Sequence, residues 1–188
     1  MKIKPVIIFL LASFIYFFAS AQEKKLKFHS INAGGVTVGQ TGGYILFQTL
    51  NGVAYKKWYT GIGVGADHYH YKSYPLFIDF RRYFDKDGKS FAYADLGYNF
   101  PGKNIPGNEV SFYSSFHFTG GLYSDVGIGY KIKFIKNTSF ILVGGYSYKK
   151  LHDKVGVITC PFIGPCFENT YNYNYGLGRM LLKAGIMF

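Results

Sequence analysis

The stretch that decides the fold is YGLGRMLLKAGIMF, which runs from Tyr175 to Phe188. Counted back from Phe188, every second residue is apolar or small, and the positions between them hold both charges, Arg179 and Lys183. A period of two predicts a β-strand with one apolar and one polar face, and a helix would not separate the charges in this way. Such a strand can cross a membrane with its apolar face toward lipid and its charges toward a barrel interior.

The first residues, MKIKPVIIFLLASFIYFFASAQ, have the three parts of a secretory signal peptide. Two lysines precede an apolar run over Val6–Phe18, and the small residues ASA precede Gln22. The apolar run is shorter than the roughly 20 residues that a membrane-spanning helix needs. We therefore expect residues 1–21 to be a cleaved signal peptide and residues 22–188 to form one domain.

The composition fits a membrane barrel better than most soluble domains. Aromatic residues make up 20% of the chain, which also has 24 glycines. Aromatic girdles at the two membrane surfaces and glycines at tight bends would account for both. Composition alone leaves a secreted β-sandwich open. The net charge of +11 would suggest nucleic acid in a cytosolic protein, but in an exported one it favours acidic lipid head groups.

Alternation of apolar and polar residues predicts eight strands. The dipeptide Asn51-Gly52 could form a hairpin turn or a bulge, and we favour a bulge within one long strand because Lys56-Lys57 follows closely. The predicted strands are Phe28–Val38, Tyr44–Tyr55, Trp58–His68, Pro75–Phe84, Phe91–Phe100, Gly121–Ile135, Phe140–Tyr148 and Tyr175–Phe188.

The connections between these strands alternate in length. KK, DKDG and KNT are short, whereas HYHYKSY, the stretch after Phe100 and the stretch 151–170 are longer; GQTG is short where a longer loop is expected. This alternation predicts an all-β fold, an eight-stranded antiparallel up-and-down transmembrane β-barrel with short periplasmic turns and longer extracellular loops. An even strand number places both termini in the periplasm. The last strand should pair with the first, since lipid cannot satisfy an open sheet edge.

Several stretches resemble the small outer-membrane β-barrel proteins of Gram-negative bacteria, especially those of the Bacteroidota and those like outer-membrane protein A. They are ASAQ, GIGVGAD, PLFIDFRRYF, YADLGYNFP, GIGYKIKF and LLKAGIMF, and together they extend over nearly the whole mature chain. The resemblance implies a place in the cell outer membrane but no chemistry. It also implies that Phe188, with Ile186 and Leu182, is the signal read by the barrel-assembly machinery.

Charged residues fall mainly on the polar faces of the predicted strands. Buried charges need partners, so we expect them to pair across the interior. An eight-stranded barrel is just wide enough to be filled by side chains, which favours a plugged, salt-bridged interior over a narrow ion channel. The expected interior charge network consists of Asp67, Asp79, Arg81, Asp95, Asp125, Lys131, Lys133, Arg179 and Lys183.

Two histidine patterns could carry chemistry. His68 and His70 share a strand face and could hold a metal, but no third ligand is evident, so a solvated loop is the favoured interpretation. His117 and Thr119 vaguely resemble the catalytic pair of outer-membrane enzymes that modify the acyl chains of lipid A or phospholipids. Threonine stands where a serine nucleophile would be, and no acidic residue orients the histidine. We therefore favour a protein without enzyme activity and without a cofactor.

Cys160 and Cys166, in CPFIGPC, are the only two cysteines, and an exported chain favours a disulfide between them. The bond would hold Phe162 and Ile163 at an exposed point, which suits binding, although protection of a loop from proteolysis is an equal alternative. The favoured function is structural or surface-binding, through extracellular loops. The expected partners are outer-membrane lipid, lipopolysaccharide and an unknown extracellular ligand, with no nucleic acid, and the expected state is a monomer.

Overall fold

The structure is a computed structural model of the 188-residue chain. It describes residues 26–40, 42–68, 72–102, 114–135, 137–162 and 164–188, without the side chains of 114–117. The predicted signal peptide lies outside the described residues. Within the described part of the chain, no helix has the length and apolar character needed to cross a membrane.

Eight antiparallel strands close into a ring, and a ninth short strand lies outside it. The ring order is β1-β2-β3-β4-β5-β7-β8-β9, and β9 pairs back onto β1. This confirms the predicted eight-stranded barrel. The strands are β1 Lys27–Gly39, β2 Gly42–Tyr55, β3 Trp58–His68, β4 Lys72–Tyr83, β5 Ser90–Pro101, β6 Ser114–Thr119, β7 Gly121–Ile135, β8 Thr138–Thr159 and β9 Phe167–Met187.

The last strand closes the barrel as its alternation predicts. Residues of β9 from Met187 to Met180 face β1 residues from Ile31 to Val38. The ladder continues past Met187, because the amide of Phe188 donates to the carbonyl oxygen of Ser30 at 2.9 Å. Ring closure pairs the strand edges with one another, which is what a sheet surrounded by lipid requires.

Asn51-Gly52 lies within one long strand, which excludes the turn. The predicted bulge is nevertheless wrong. In β2, Asn51 faces Ile62 and Gly52 faces Gly61 in an unbroken register with β3. Pairing with β1 is unbroken there as well. A bulge would add one residue to the strand and so turn the side chains beyond it to the opposite face of the sheet. The same residues stay inward on both sides of the dipeptide, so no residue is added.

The stretch 151–170, predicted as a long loop, is mostly strand. β8 and β9 stay paired from Lys150 opposite Gly176 up to Thr159 opposite Phe167. β6, which was not predicted, adds to this extension by pairing with β8 residues 152–157. We call the three-stranded extension, made of residues 114–119, 151–159 and 167–175, the arm. The connection within HYHYKSY is also shorter than expected, since β4 begins at Lys72.

The two faces of the barrel wall are opposite in character. Outward side chains are apolar and exposed: Ile62, Ile128 and Leu182 are 63%, 67% and 60% exposed. Inward side chains include nearly all the buried charges of the described residues, among them Asp79 at 0% and Lys183 at 4%. Soluble proteins bury apolar groups and expose charged ones, so this inverted arrangement is that of a barrel surrounded by lipid.

Glycines on the inward face make room for aromatic rings. A Cβ atom on Gly129 would lie 2.3 Å from Cζ of Phe91, and one on Gly63 would lie 2.4 Å from Cζ of Phe77. Both rings belong to the buried cluster that fills the barrel, and Phe91 is fully buried. The glycines therefore allow a narrow barrel to hold large side chains in its interior.

Candidate functional site

The first interior charge pair lies on a single strand. Asp79 and Arg81 are two residues apart on β4, so both side chains point inward. Nε of Arg81 donates to both carboxylate oxygens of Asp79 at 2.9 Å. The guanidinium also lies over the rings of Phe91 and Tyr59, with its carbon 5.2 and 5.5 Å from the two centroids. The charge is thus paired and enclosed by aromatic surface.

A second cluster is centred on Lys183. Asp95 and Asp125 face each other on β5 and β7, and two like charges at such a pair would repel. Nζ of Lys183 lies 3.7 Å from a carboxylate oxygen of Asp95 and 3.4 Å from one of Asp125. It also donates to Oε1 of Gln48 at 2.9 Å, while the hydroxyl of Tyr123 donates to Asp125 at 2.6 Å. One cation therefore holds two carboxylates together.

A third cluster is centred on Lys149, a residue that the sequence analysis missed. Its ammonium forms an ion pair with Asp67 and donates to the oxygens of Ser73 at 3.3 Å and Asn99 at 3.2 Å. Lys149 is fully buried. The strand was predicted to end at Tyr148. Val143, Ser147 and Lys149 are separated by even numbers of residues, so extending the strand by one residue would have predicted that Lys149 points inward.

Not every predicted interior charge joins these clusters. Arg179 is buried and lies over the ring of Tyr44, with its carbon 4.5 Å from the centroid. Lys131 and Lys133 have the predicted inward parity but lie at the mouth of the barrel, where β7 ends. Lys133 is exposed there and Lys131 is half-buried. Asp153 is a further buried charge, and its strand position was predicted as loop.

Side chains pack closely across the barrel interior near Lys183. The space described there, next to Leu50, Phe77 and Lys183, amounts to about 10 Å³. A cavity of that size holds about one water molecule. Around it the buried rings of Tyr59, Phe91 and other aromatic residues occupy the cross-section.

The two histidine hypotheses gain no support from the geometry. His68 is exposed and its ring stacks on Tyr44 at 5.8 Å, whereas His70 lies outside the described residues. Among the residues described, no three His, Cys, Asp or Glu side chains come together as a metal site. Thr119 is exposed on β6, and the side chain of His117 is outside the described part.

The arm projects beyond the barrel and carries the disulfide at its tip. Cys160 and Cys166 are bonded, with their Cα atoms 4.1 Å apart, as the sequence predicts. Phe162, inside the small ring, is fully exposed, and Ile163 lies outside the described residues. Further exposed apolar and aromatic side chains follow along the arm, and they are Val157, Ile158, Phe167, Tyr171 and Tyr173.

Comparison with solved structures supports the fold. The chain is similar to the outer membrane protein AlkL, solved by solid-state NMR in DMPC lipid bilayers, with a TM-score of 0.50 and 11% identity over 88% of this chain and 89% of that one. It is also similar to the outer membrane protein OprG of Pseudomonas aeruginosa, with a TM-score of 0.48 and 13% identity over 85% and 94%. No protein-family model and no curated protein matches the sequence.

Proposed function

We propose that this chain is an outer-membrane β-barrel without enzyme activity that binds a ligand outside the cell through its arm. The observation that carries the proposal is the contrast between the closely packed interior around Lys183 and the exposed arm. Nothing the size of a nutrient fits between the side chains around Lys183. At the arm tip, by contrast, Phe162 stands fully exposed on a ring closed by a disulfide.

The arm has the physical properties of a binding element. Its strands are paired over their whole length, and the disulfide constrains the connection between them, so little order has to be gained on binding. Exposed tyrosines such as Tyr171 and Tyr173 offer large, rigid contact surfaces with a polar tip. A cluster of exposed aromatic side chains on a soluble projection is a common feature of interaction sites.

The rest of the proposed setting follows the predicted export. The apolar outward wall contacts outer-membrane lipid and lipopolysaccharide, and the short turns and both chain ends face the periplasm. Phe188, Ile186 and Leu182 form the signal for the barrel-assembly machinery. Phe188 and Ile186 lie where β9 closes onto β1, so recognition of this end would precede ring closure.

Native mass spectrometry of the protein released gently from its own outer membrane tests the binding role. We expect a bound adduct on the wild-type protein and its loss from the double variant Phe162→Ser/Tyr171→Ser. Phe134→Ser is the matched control, because Phe134 is 79% exposed but lies at the opposite end of the barrel. An adduct kept by the arm variant and lost from the control would overturn the proposal, and a bare monomer in all three would favour a purely structural role.

A further inference from the structure

The mouth of the barrel at its short-turn end is a strongly basic cup. Its volume is about 740 Å³, and the buried side chains of Tyr83 and Met187 are part of its lining. Its acidic side chains are Asp85 and Asp87. Six lysines line it, and they are Lys27, Lys56, Lys57, Lys86, Lys131 and Lys133.

The two acidic side chains of the cup are occupied by other groups. Asp85 accepts the backbone N–H of Lys89 at 2.7 and 2.9 Å, and Asp87 forms an ion pair with the ammonium of the same residue at 2.9 Å. Within the described part of the chain, no carboxylate lies within 4 Å of the ammonium of Lys131 or Lys133. The cup therefore keeps a surplus of positive charge.

The surplus charge converges on one space. Lys131 and Lys133 lie two residues apart on β7 and point to the same side, and Lys27 faces inward from β1. Lys131 is half-buried, and its ammonium lies 4.8 Å from the centroid of the Tyr83 ring. A recess lined by charges of one sign, with walls of low dielectric constant, concentrates counter-ions. Such an arrangement favours the binding of an anion.

We propose that this cup binds a phosphate group that carries at least two negative charges, such as a diphosphate or a phosphomonoester. Lysine ammonium groups act as compact point charges and suit a small, multiply charged anion approached from several sides. A single carboxylate carries one charge and is matched better by the planar fork of arginine. The lysines come from two strands and two turns, so they surround the ligand.

The phosphate could belong to a soluble molecule or to a lipid head group. The inward position of Lys27, Lys131 and Lys133 separates them from the lipid-facing wall, which favours the soluble source. The probe for both is pyrophosphate, titrated calorimetrically into the full mature protein in an uncharged maltoside detergent. Repeating the titration in phosphatidylcholine nanodiscs with and without phosphatidic acid, whose head group is a phosphomonoester, distinguishes the sources, since a lipid phosphate in the cup would compete with pyrophosphate.

The decisive variant is Lys131→Gln/Lys133→Gln. We expect it to weaken pyrophosphate binding at least tenfold. Lys150→Gln/Lys154→Gln, which removes one exposed lysine at the base of the arm and one within it, should leave pyrophosphate binding unchanged. Wild-type binding should also weaken as salt rises. Absence of pyrophosphate binding at millimolar concentration would overturn the proposal, and so would an equal loss in both double variants. Cold and heated samples run in SDS gels establish that each variant is folded.

Discussion

Nζ of Lys183, on β9, lies 3.4 Å from a carboxylate oxygen of Asp125, on β7, and β8 stands between the two strands in the wall. The two side chains therefore meet inside the barrel and do not belong to neighbouring strands of the sheet. With Asp95 at 3.7 Å from the same ammonium, one lysine ties together three strands of the ring. Interior charges in this barrel thus have a structural role, as cross-links between walls that the backbone ladder does not join directly.

Removing the lysine leaves two buried carboxylates without their cation. Lys183→Met should lower the free energy of unfolding by about 3–5 kcal/mol, because breaking a buried pair strands the remaining charge. Guanidinium-induced unfolding in lipid vesicles measures the change. Lys154→Met, at an exposed position, is the control and should change stability by less than about 0.5 kcal/mol. Equal stability of the two variants would show that Lys183 is not holding Asp95 and Asp125.

The ion pair of Lys149 with Asp67 can be tested by a double-mutant cycle. Each single variant, Lys149→Met or Asp67→Asn, leaves the other buried charge without its counter-ion. The double variant removes both charges. We expect the loss of the double variant to fall short of the summed single losses by about 1–3 kcal/mol. Strict additivity would mean that the two residues do not interact in the folded barrel.

Two glycines of the wall give a matched test of interior packing. Gly129→Ala places a methyl group against the ring of Phe91 and should cost about 1–3 kcal/mol, as overpacking does. Gly144→Ala points outward, where nothing lies within 4 Å, and should change stability by less than about 0.5 kcal/mol. Unfolding curves of the two variants measure the loss of stability. A larger loss in Gly144→Ala than in Gly129→Ala would contradict the assignment of Gly129 to the inward face and Gly144 to the outward face.

The disulfide is expected to protect the arm and not the barrel. A disulfide that closes so small a loop lowers the conformational entropy of the unfolded loop, which corresponds to about 2 kcal/mol of stabilisation. This stabilisation opposes local unfolding of the arm tip. The double variant Cys160→Ser/Cys166→Ser should be cut faster by protease within residues 151–175. Mass spectrometry of the fragments locates the cuts. Cleavage within the barrel strands, or an unchanged cutting rate, would contradict this.

The fold could be predicted from the sequence wherever one face of a strand is mainly apolar. Trp58–His68 has such a face, with Trp58, Ile62 and Val64, and its predicted bounds match those of β3. The arm could not be predicted in this way. On β9, residues 171–174 are exposed at every position, so no alternation distinguishes a strand from a polar loop. On β8, Leu151 and Asp153 are buried between exposed neighbours, but this alternation is short.

The charge clusters were only partly predictable for a related reason. The alternation of side chains along a strand predicts which of them point inward. It does not predict the position of each side chain along the barrel axis. Lys133 has the inward parity and yet sits at the mouth, whereas Lys149 lies one residue beyond the predicted strand end and is fully buried. Their roles depend on the stagger of the strands around the ring, which is a property of the closed barrel and of no single segment.

The outward apolar wall of this barrel contacts lipid, and the inward side chains are kept away from it. Methyl-group NMR of the protein in nanodiscs that contain a lipid spin-labelled near the end of its acyl chain tests this arrangement most directly. We predict strong broadening of the outward methyl groups of Ile62, Ile78 and Ile128 and none of the inward methyl groups of Ile31, Leu50 and Ile141. Equal broadening of both sets, or broadening of neither set, would contradict a barrel embedded in lipid.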